Sequence, residues 1–166
     1  SHEDAKKIVQ ANPHNQQVIF QIINGQELNN QPDQKAGRSI INFSDWSLEK
    51  AKQYPQPFSI VETNVKPERD KQKDKGAREL WGRFLRPRPE LNEQLSDISH
   101  CFITSRVTKH LNFSSAPTSL VFTNNIYVFT TERWDLYAVV QSSLHEVWSR
   151  KYSMSLKQDL QYSPSN

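Results

Sequence analysis

Apolar residues come in short, β-branched bursts in this chain and never in a long run. The bursts are residues 18–23 (Val-Ile-Phe-Gln-Ile-Ile), 39–43 (Ser-Ile-Ile-Asn-Phe), 101–107 (Cys-Phe-Ile-Thr-Ser-Arg-Val) and 126–130 (Ile-Tyr-Val-Phe-Thr). Each has the length and composition of a strand. Helical spacing fills parts of the intervals, but strands and helices do not alternate cleanly, so the expected class is α+β: a small mixed sheet flanked by helices in a single compact domain. A chain of 166 residues can bury one sizeable core. Its 35% hydrophobic content implies long polar surface segments, while 10% aromatic residues exclude a disordered chain. No burst approaches the roughly 18 to 20 residues needed to span a bilayer, and the N-terminus lacks a signal-peptide layout. A soluble cytoplasmic protein is expected. Both ends read as cut, Ser1-His2 leading straight into a helical pattern and Tyr162-Ser163-Pro164-Ser165-Asn166 closing on a polar string.

The helical expectations follow from apolar spacing and from proline. Residues 3–11 favour helix until Asn12-Pro13. Residues 26–38 read as a polar loop with Pro32-Asp33 and Ala36-Gly37 as breakers. Ser44 or Asp45 is placed to cap a helix through Leu48, Ala51 and Tyr54 that Pro55 and Pro57 end. Residues 64–90 suggest a long charged helix followed by a Pro-rich connection; from Lys66 to Glu90 there are nine Lys or Arg against five Asp or Glu. Pro89-Glu90-Leu91 suits the first turn of another helix reaching about Leu95. Leu136, Val139, Val140, Leu144 and Val147 repeat at helical spacing to about Trp148.

The sequence argues against a catalytic centre. Amino methylation of adenine or cytosine needs an Asn-Pro-Pro-aromatic motif and a glycine-rich cofactor loop, whereas only four glycines are present, unclustered, and Asn12-Pro13-His14 is not that motif. No Asp/Glu spacing signals a divalent-metal nuclease. His100 and Cys101 are strand neighbours that point to opposite faces and make a poor zinc pair, and a single cysteine in an apolar strand reads as a buried, inert thiol. His145-Glu146 has the makings of a proton-transfer pair, although a packed or capped histidine is the commoner use of such a residue.

What remains is a set of long basic and amide side chains at or beside strand ends: Arg106, Lys109, His110, Asn124, Asn125, Arg133 and Arg150. Arg and Lys pair with guanine, Asn with adenine, and all of them with phosphates, so such a set on rigid strands suits a DNA duplex. On composition alone the blander reading, solvated loop residues, is the commoner case. The formal charge of +3 permits a polyanionic partner without requiring one. The alternating charges of residues 66–88 are the ordinary dress of an exposed helix.

The order of several phrases narrows these alternatives. Asn24-Gly25-Gln26-Glu27-Leu28-Asn29, Pro32-Asp33-Gln34, and Ile41-Asn42-Phe43 with Asp45-Trp46 are followed by Val65-Lys66-Pro67-Glu68-Arg69. Then come residues 83–91 (Arg-Phe-Leu-Arg-Pro-Arg-Pro-Glu-Leu), Ser105-Arg106-Val107 before Lys109-His110-Leu111, Gln141-Ser142-Ser143 with His145-Glu146 and Trp148, and Tyr152 and Leu156 leading to Tyr162-Ser163-Pro164-Ser165. Across residues 20–165 this ordered set resembles the target-recognition region of MmeI-like type IIG restriction-modification methyltransferases. In that family the last phrase continues into Asp and an aromatic, Pro-rich segment, so part of the recognition unit is expected beyond Asn166. The resemblance implies a module without catalysis of its own, C-terminal to an N-6 adenine methyltransferase core of a bacterial, cytoplasmic phage-defence enzyme. In such a parent the core binds S-adenosylmethionine, and Mg2+ serves where the enzyme also cleaves. The implied partners are double-stranded DNA and the methyltransferase domain of the same polypeptide, with no membrane. An alternative role compatible with the same phrases is an interdomain scaffold that does not read DNA. A reader should present a positive face and a concave opening; a scaffold should present an exposed apolar patch.

Overall fold

The computed structural model describes residues 2–84 and 87–164. The fold is α+β, with helices and small sheets, and the chain divides into two compact units: residues 1–20 with 38–89, and residues 21–37 with 90–166.

The first unit is mainly helical. Its helix α1 (His2–Ala11) buries Ala5 and Ile8 and gives way to a 3-10 turn over Pro13–Val18, where the Asn12 side chain accepts from the His14 N–H. Strand β1 (Ile19–Ile23) begins here and pairs with β2 (Arg38–Ile41). Phe43, Trp46, Tyr54, Phe58 and Trp81 then pack as an aromatic chain with neighbouring ring centroids 5.5 to 6.5 Å apart. Phe43, Tyr54, Phe58 and Trp81 are buried, and such offset and edge contacts add to the burial of each ring.

Proline governs this unit differently from the sequence expectation. The helix expected from Ser44 or Asp45 to Tyr54 is only α3 (Leu48–Ala51), capped by Ser47, and Ser44 adopts a positive φ of 51° that no helix start allows. Pro55 does not end a helix but opens α4 (Pro55–Asn64), occupying the first turn where its missing N–H costs nothing. The long charged helix expected over 64–90 is broken into α5 (Lys66–Asp70) and α6 (Lys75–Glu79), the latter restarted by Asp74 capping the Ala77 N–H. The physical reason is the apolar gap from residues 67 to 76, which leaves no face to bury and hence no tertiary packing to sustain helix. Leu85 and Arg86 lie outside the described residues.

The second unit holds the sheets. Strand β3 (His100–Ser105) is central, with antiparallel β5 (Ser114–Pro117) on one side and β7 (Ile126–Phe129) on the other. Cys101 and Ile103 point into a core with Ile23, Leu28, Leu95 and Phe122. On the opposite face Phe102, 1% exposed, meets Tyr137 and Trp134 at 4.8 and 5.1 Å. Burial on both faces explains why this strand reads as a continuous apolar run. The end of β1 pairs in parallel with β6 (Val121–Phe122), and β9 (Asp159–Gln161) pairs antiparallel with both β4 (Val107–Thr108) and β8 (Met154–Leu156). Helix α7 (Pro89–Ser96) begins at the proline that the sequence proposed. The single helix expected to Trp148 is two, α8 (Trp134–Val140) and α9 (Ser143–Tyr152), because the Ser142 hydroxyl caps the His145 N–H and starts a new helix.

Candidate functional site

The polar loop expected over residues 26–38 opens instead with a helix, and that helix makes a wall of the site. The Asn24 side chain accepts from the Glu27 N–H at 2.8 Å while the Asn24 N–H donates to the Glu27 carboxylate at 2.9 Å. This reciprocal box starts α2 (Gly25–Asn30). Gly25 is required for close approach: a Cβ there would stand 2.6 Å from the Ser105 hydroxyl oxygen. Asn24→Ala is expected to lower stability by about 1 kcal/mol, read as a reduced urea midpoint at unchanged slope.

At its far end α2 is tied to the β3–β4 turn. The Asn29 amide donates to the Ser105 hydroxyl at 3.3 Å and to the Val107 carbonyl at 2.9 Å, bracketing Arg106. Beyond it Gln34, at a positive φ of 49°, is held by its amide donating to the Leu28 carbonyl and by the Ser114 hydroxyl donating back to it at 2.5 Å. The result is an open cleft of about 520 Å3 between the end of α2 with the following loop and the 108–112 turn. Asn30, Gln31, Lys109, His110, Asn112 and Asp159 line it with polar side chains. Among the described residues none of these six side chains makes a hydrogen bond or ion pair, in contrast to Asn29 and Gln34.

The seven residues singled out in the sequence fall into two groups. Arg106 is exposed in the bend after β3 while its backbone is fixed on both sides, its N–H donating to the Asn125 carbonyl at 2.8 Å and its carbonyl accepting from the Tyr162 N–H at 2.9 Å. Lys109 and His110 lie in the cleft, and the Thr108 hydroxyl donates to the His110 carbonyl. Asn124 is exposed in the turn before β7. The other three serve the fold. The Asn125 side-chain oxygen accepts from the Gly25 N–H and the Thr123 hydroxyl. Arg133 grips Asp135 through two nitrogens, at 3.1 and 2.6 Å, and this contact holds the Asp135 carboxyl below its ordinary range. Arg150 pairs with Glu146 at 2.8 Å and donates to the Lys109 carbonyl at 3.1 Å, so it braces the turn that carries Lys109.

In the charged block Lys66, Lys71 and Lys75 pair with Glu62, Glu68 and Glu79, and Arg69, Arg78 and Arg83 donate to backbone carbonyls.

The remaining reactive groups are structural. Cys101 is fully buried, which pushes its thiol up to about 11 and leaves it protonated and inert. His145 stands edge-on to Phe113 at 5.7 Å, tilted beside Tyr162 at 5.8 Å, and burial lowers its pKa below the ordinary histidine value. Glu146, its expected partner, is engaged by Arg150. Because an unfolded histidine titrates near 6.5, the unfolded chain takes up a proton at His145 more readily below that pH, and the His145 contribution to stability falls on acidification through about pH 6.5. Urea titrations at about pH 7.5 and 5.5 check this; His145→Gln should remove the part of the loss that begins near 6.5. No group of His, Cys, Asp and Glu able to hold a metal occurs among the described residues.

Two further elements carry exposed apolar side chains. On α9 and β8 Leu144, Val147, Trp148, Met154 and Leu156 are exposed, Leu144 at 80% and Trp148 at 58%. Leu144, Val147 and Trp148 share one helix face at i, i+3 and i+4.

Comparison with known proteins gives one family and one fold. A family model described as "MmeI, target recognition domain" matches residues 1–165. Among solved structures, "Structure of Type IIL restriction-modification enzyme MmeI in complex with DNA has implications for engineering of new specificities" matches with a TM-score of 0.74 at 13% identity. That match covers 98% of this chain and 21% of the other, so the chain spans about a fifth of the protein it resembles. No curated protein matches.

Proposed function

Because the chain belongs to the MmeI target-recognition-domain family, we propose that it recognises a specific sequence in double-stranded DNA on behalf of a restriction-modification enzyme and catalyses nothing itself. The parent on this reading is a type IIG enzyme of bacterial phage defence, whose separate core binds S-adenosylmethionine and methylates adenine at N-6, with Mg2+ where it also cleaves. The observation that carries the proposal is the cleft, in which Lys109 and His110 stand uncommitted beside the rigidly held bend of Arg106. Cations there fix register on phosphates, and groups inside meet base edges. In the intact enzyme this module determines which adenine the core extrudes from the stack.

Fluorescence-anisotropy titration of the chain against a randomised duplex at about 50 and 200 mM salt tests the proposal. Binding that weakens steeply with salt supports it, because each phosphate contact releases counterions; absence of binding at the lower salt opposes it.

The exposed face of α9 and β8 favours a second role beside the first. Apolar side chains this exposed mark an interaction surface. Since about four-fifths of the matched enzyme lies outside the matched region, the occupant we assign to this face is the methyltransferase domain of the same polypeptide. Trp148→Ala should leave duplex affinity of the isolated chain unchanged while reducing methylation by the intact enzyme at least severalfold. Equal methylation by variant and parent would remove the assignment.

A further inference from the structure

The recognition role rests on a cleft, and the chemistry of its lining says what that cleft reads. Its carboxamides divide sharply. Asn29 and Gln34 spend their hydrogen-bonding groups on Ser105, Val107, Leu28 and Ser114, and so build the walls. Asn30, Gln31 and Asn112 have no such internal use among the described residues, although each lines the same space. A carboxamide offers one acceptor and two donors from a single plane, which complements the N6 amino and N7 of adenine in the major groove.

Asp159, also in the lining, disfavours a phosphate at its own position and leaves phosphate contact to Lys109. Its carboxylate repels a phosphate and accepts from an exocyclic amino group.

We infer that Asn30, Gln31 and Asn112 are specificity-determining residues of the recognition site, and that the base they select is adenine. The inference depends on the DNA-recognition reading and adds to it a base and three positions. All three side chains lie at the surface or partly so, and their replacement removes no internal bond. The walls that position them depend on the Asn24–Glu27 box and on Gln34, which the substitutions leave untouched.

The test is selection of preferred duplexes from a randomised library by the unaltered chain and by Asn30→Ala, Gln31→Ala and Asn112→Ala, with the salt dependence of binding measured for each. The unaltered chain should enrich a motif containing adenine. At least one variant should lose preference at an adenine by roughly tenfold or more, as loss of a bidentate pair predicts, while the salt slope stays the same. If all three variants enrich the original motif, these positions do not read bases and the inference falls while DNA recognition stands. A shifted preference at non-adenine positions alone overturns the assigned base. A chain that enriches no motif overturns both readings.

Discussion

Phe113→Ala is expected to destabilise the protein by about 3 to 5 kcal/mol, the range for removing a buried aromatic ring. Phe113 is 1% exposed and touches Phe129, His145 and Tyr162 at ring-centroid distances of 5.5 to 5.7 Å. Its backbone is bonded as well, the N–H to Gln141 at 2.8 Å and the carbonyl to the Tyr137 hydroxyl at 3.1 Å. It follows Asn112 directly, so the ring anchors one side of the cleft. Phe113→Leu, which keeps most of the apolar volume, should lose much less. Equilibrium urea denaturation checks both, and a Phe113→Ala variant as stable as the unaltered chain would show that the ring's packing does not hold this region.

The other large effect concerns binding. Arg106→Ala with Lys109→Ala should weaken duplex affinity by at least tenfold near 50 mM salt and flatten the dependence of log K on log salt by about two units, one per lost phosphate contact. Neither side chain makes a hydrogen bond or ion pair among the described residues, so the double variant should melt like the parent. Arg133→Ala is the control, since its guanidinium is already occupied by Asp135. If Arg133→Ala weakens binding as strongly as the double variant, the division between free and committed cations is wrong.

Strand β3, strand β7 and the α7 start at Pro89 were legible in the sequence because their signals are local: a β-branched run, and proline in the first turn of a helix. Strands β5, β6, β8 and β9 were not, since sequences such as Ser-Ser-Ala-Pro and Asp-Leu-Gln become strands only by pairing with β3 or β4. The same limit applied to the site. Lys109 and His110, singled out by residue type beside a strand end, line the cleft together with Asn30, Gln31 and Asn112, which residue type did not single out; the box formed by Asn24 and Glu27 was the one local signal that a helix begins beside them. Residue type identifies Arg133 and Arg150 as cations; only the fold shows that one is spent on Asp135 and the other on Glu146 and the Lys109 carbonyl.

If duplex DNA lies against the cleft, amide hydrogen exchange of the chain with and without a bound duplex will show slowed exchange in residues 28–34 and 106–112, with α9 unchanged. Protection confined to α9 and β8, or none in a complex shown to have formed, would contradict it.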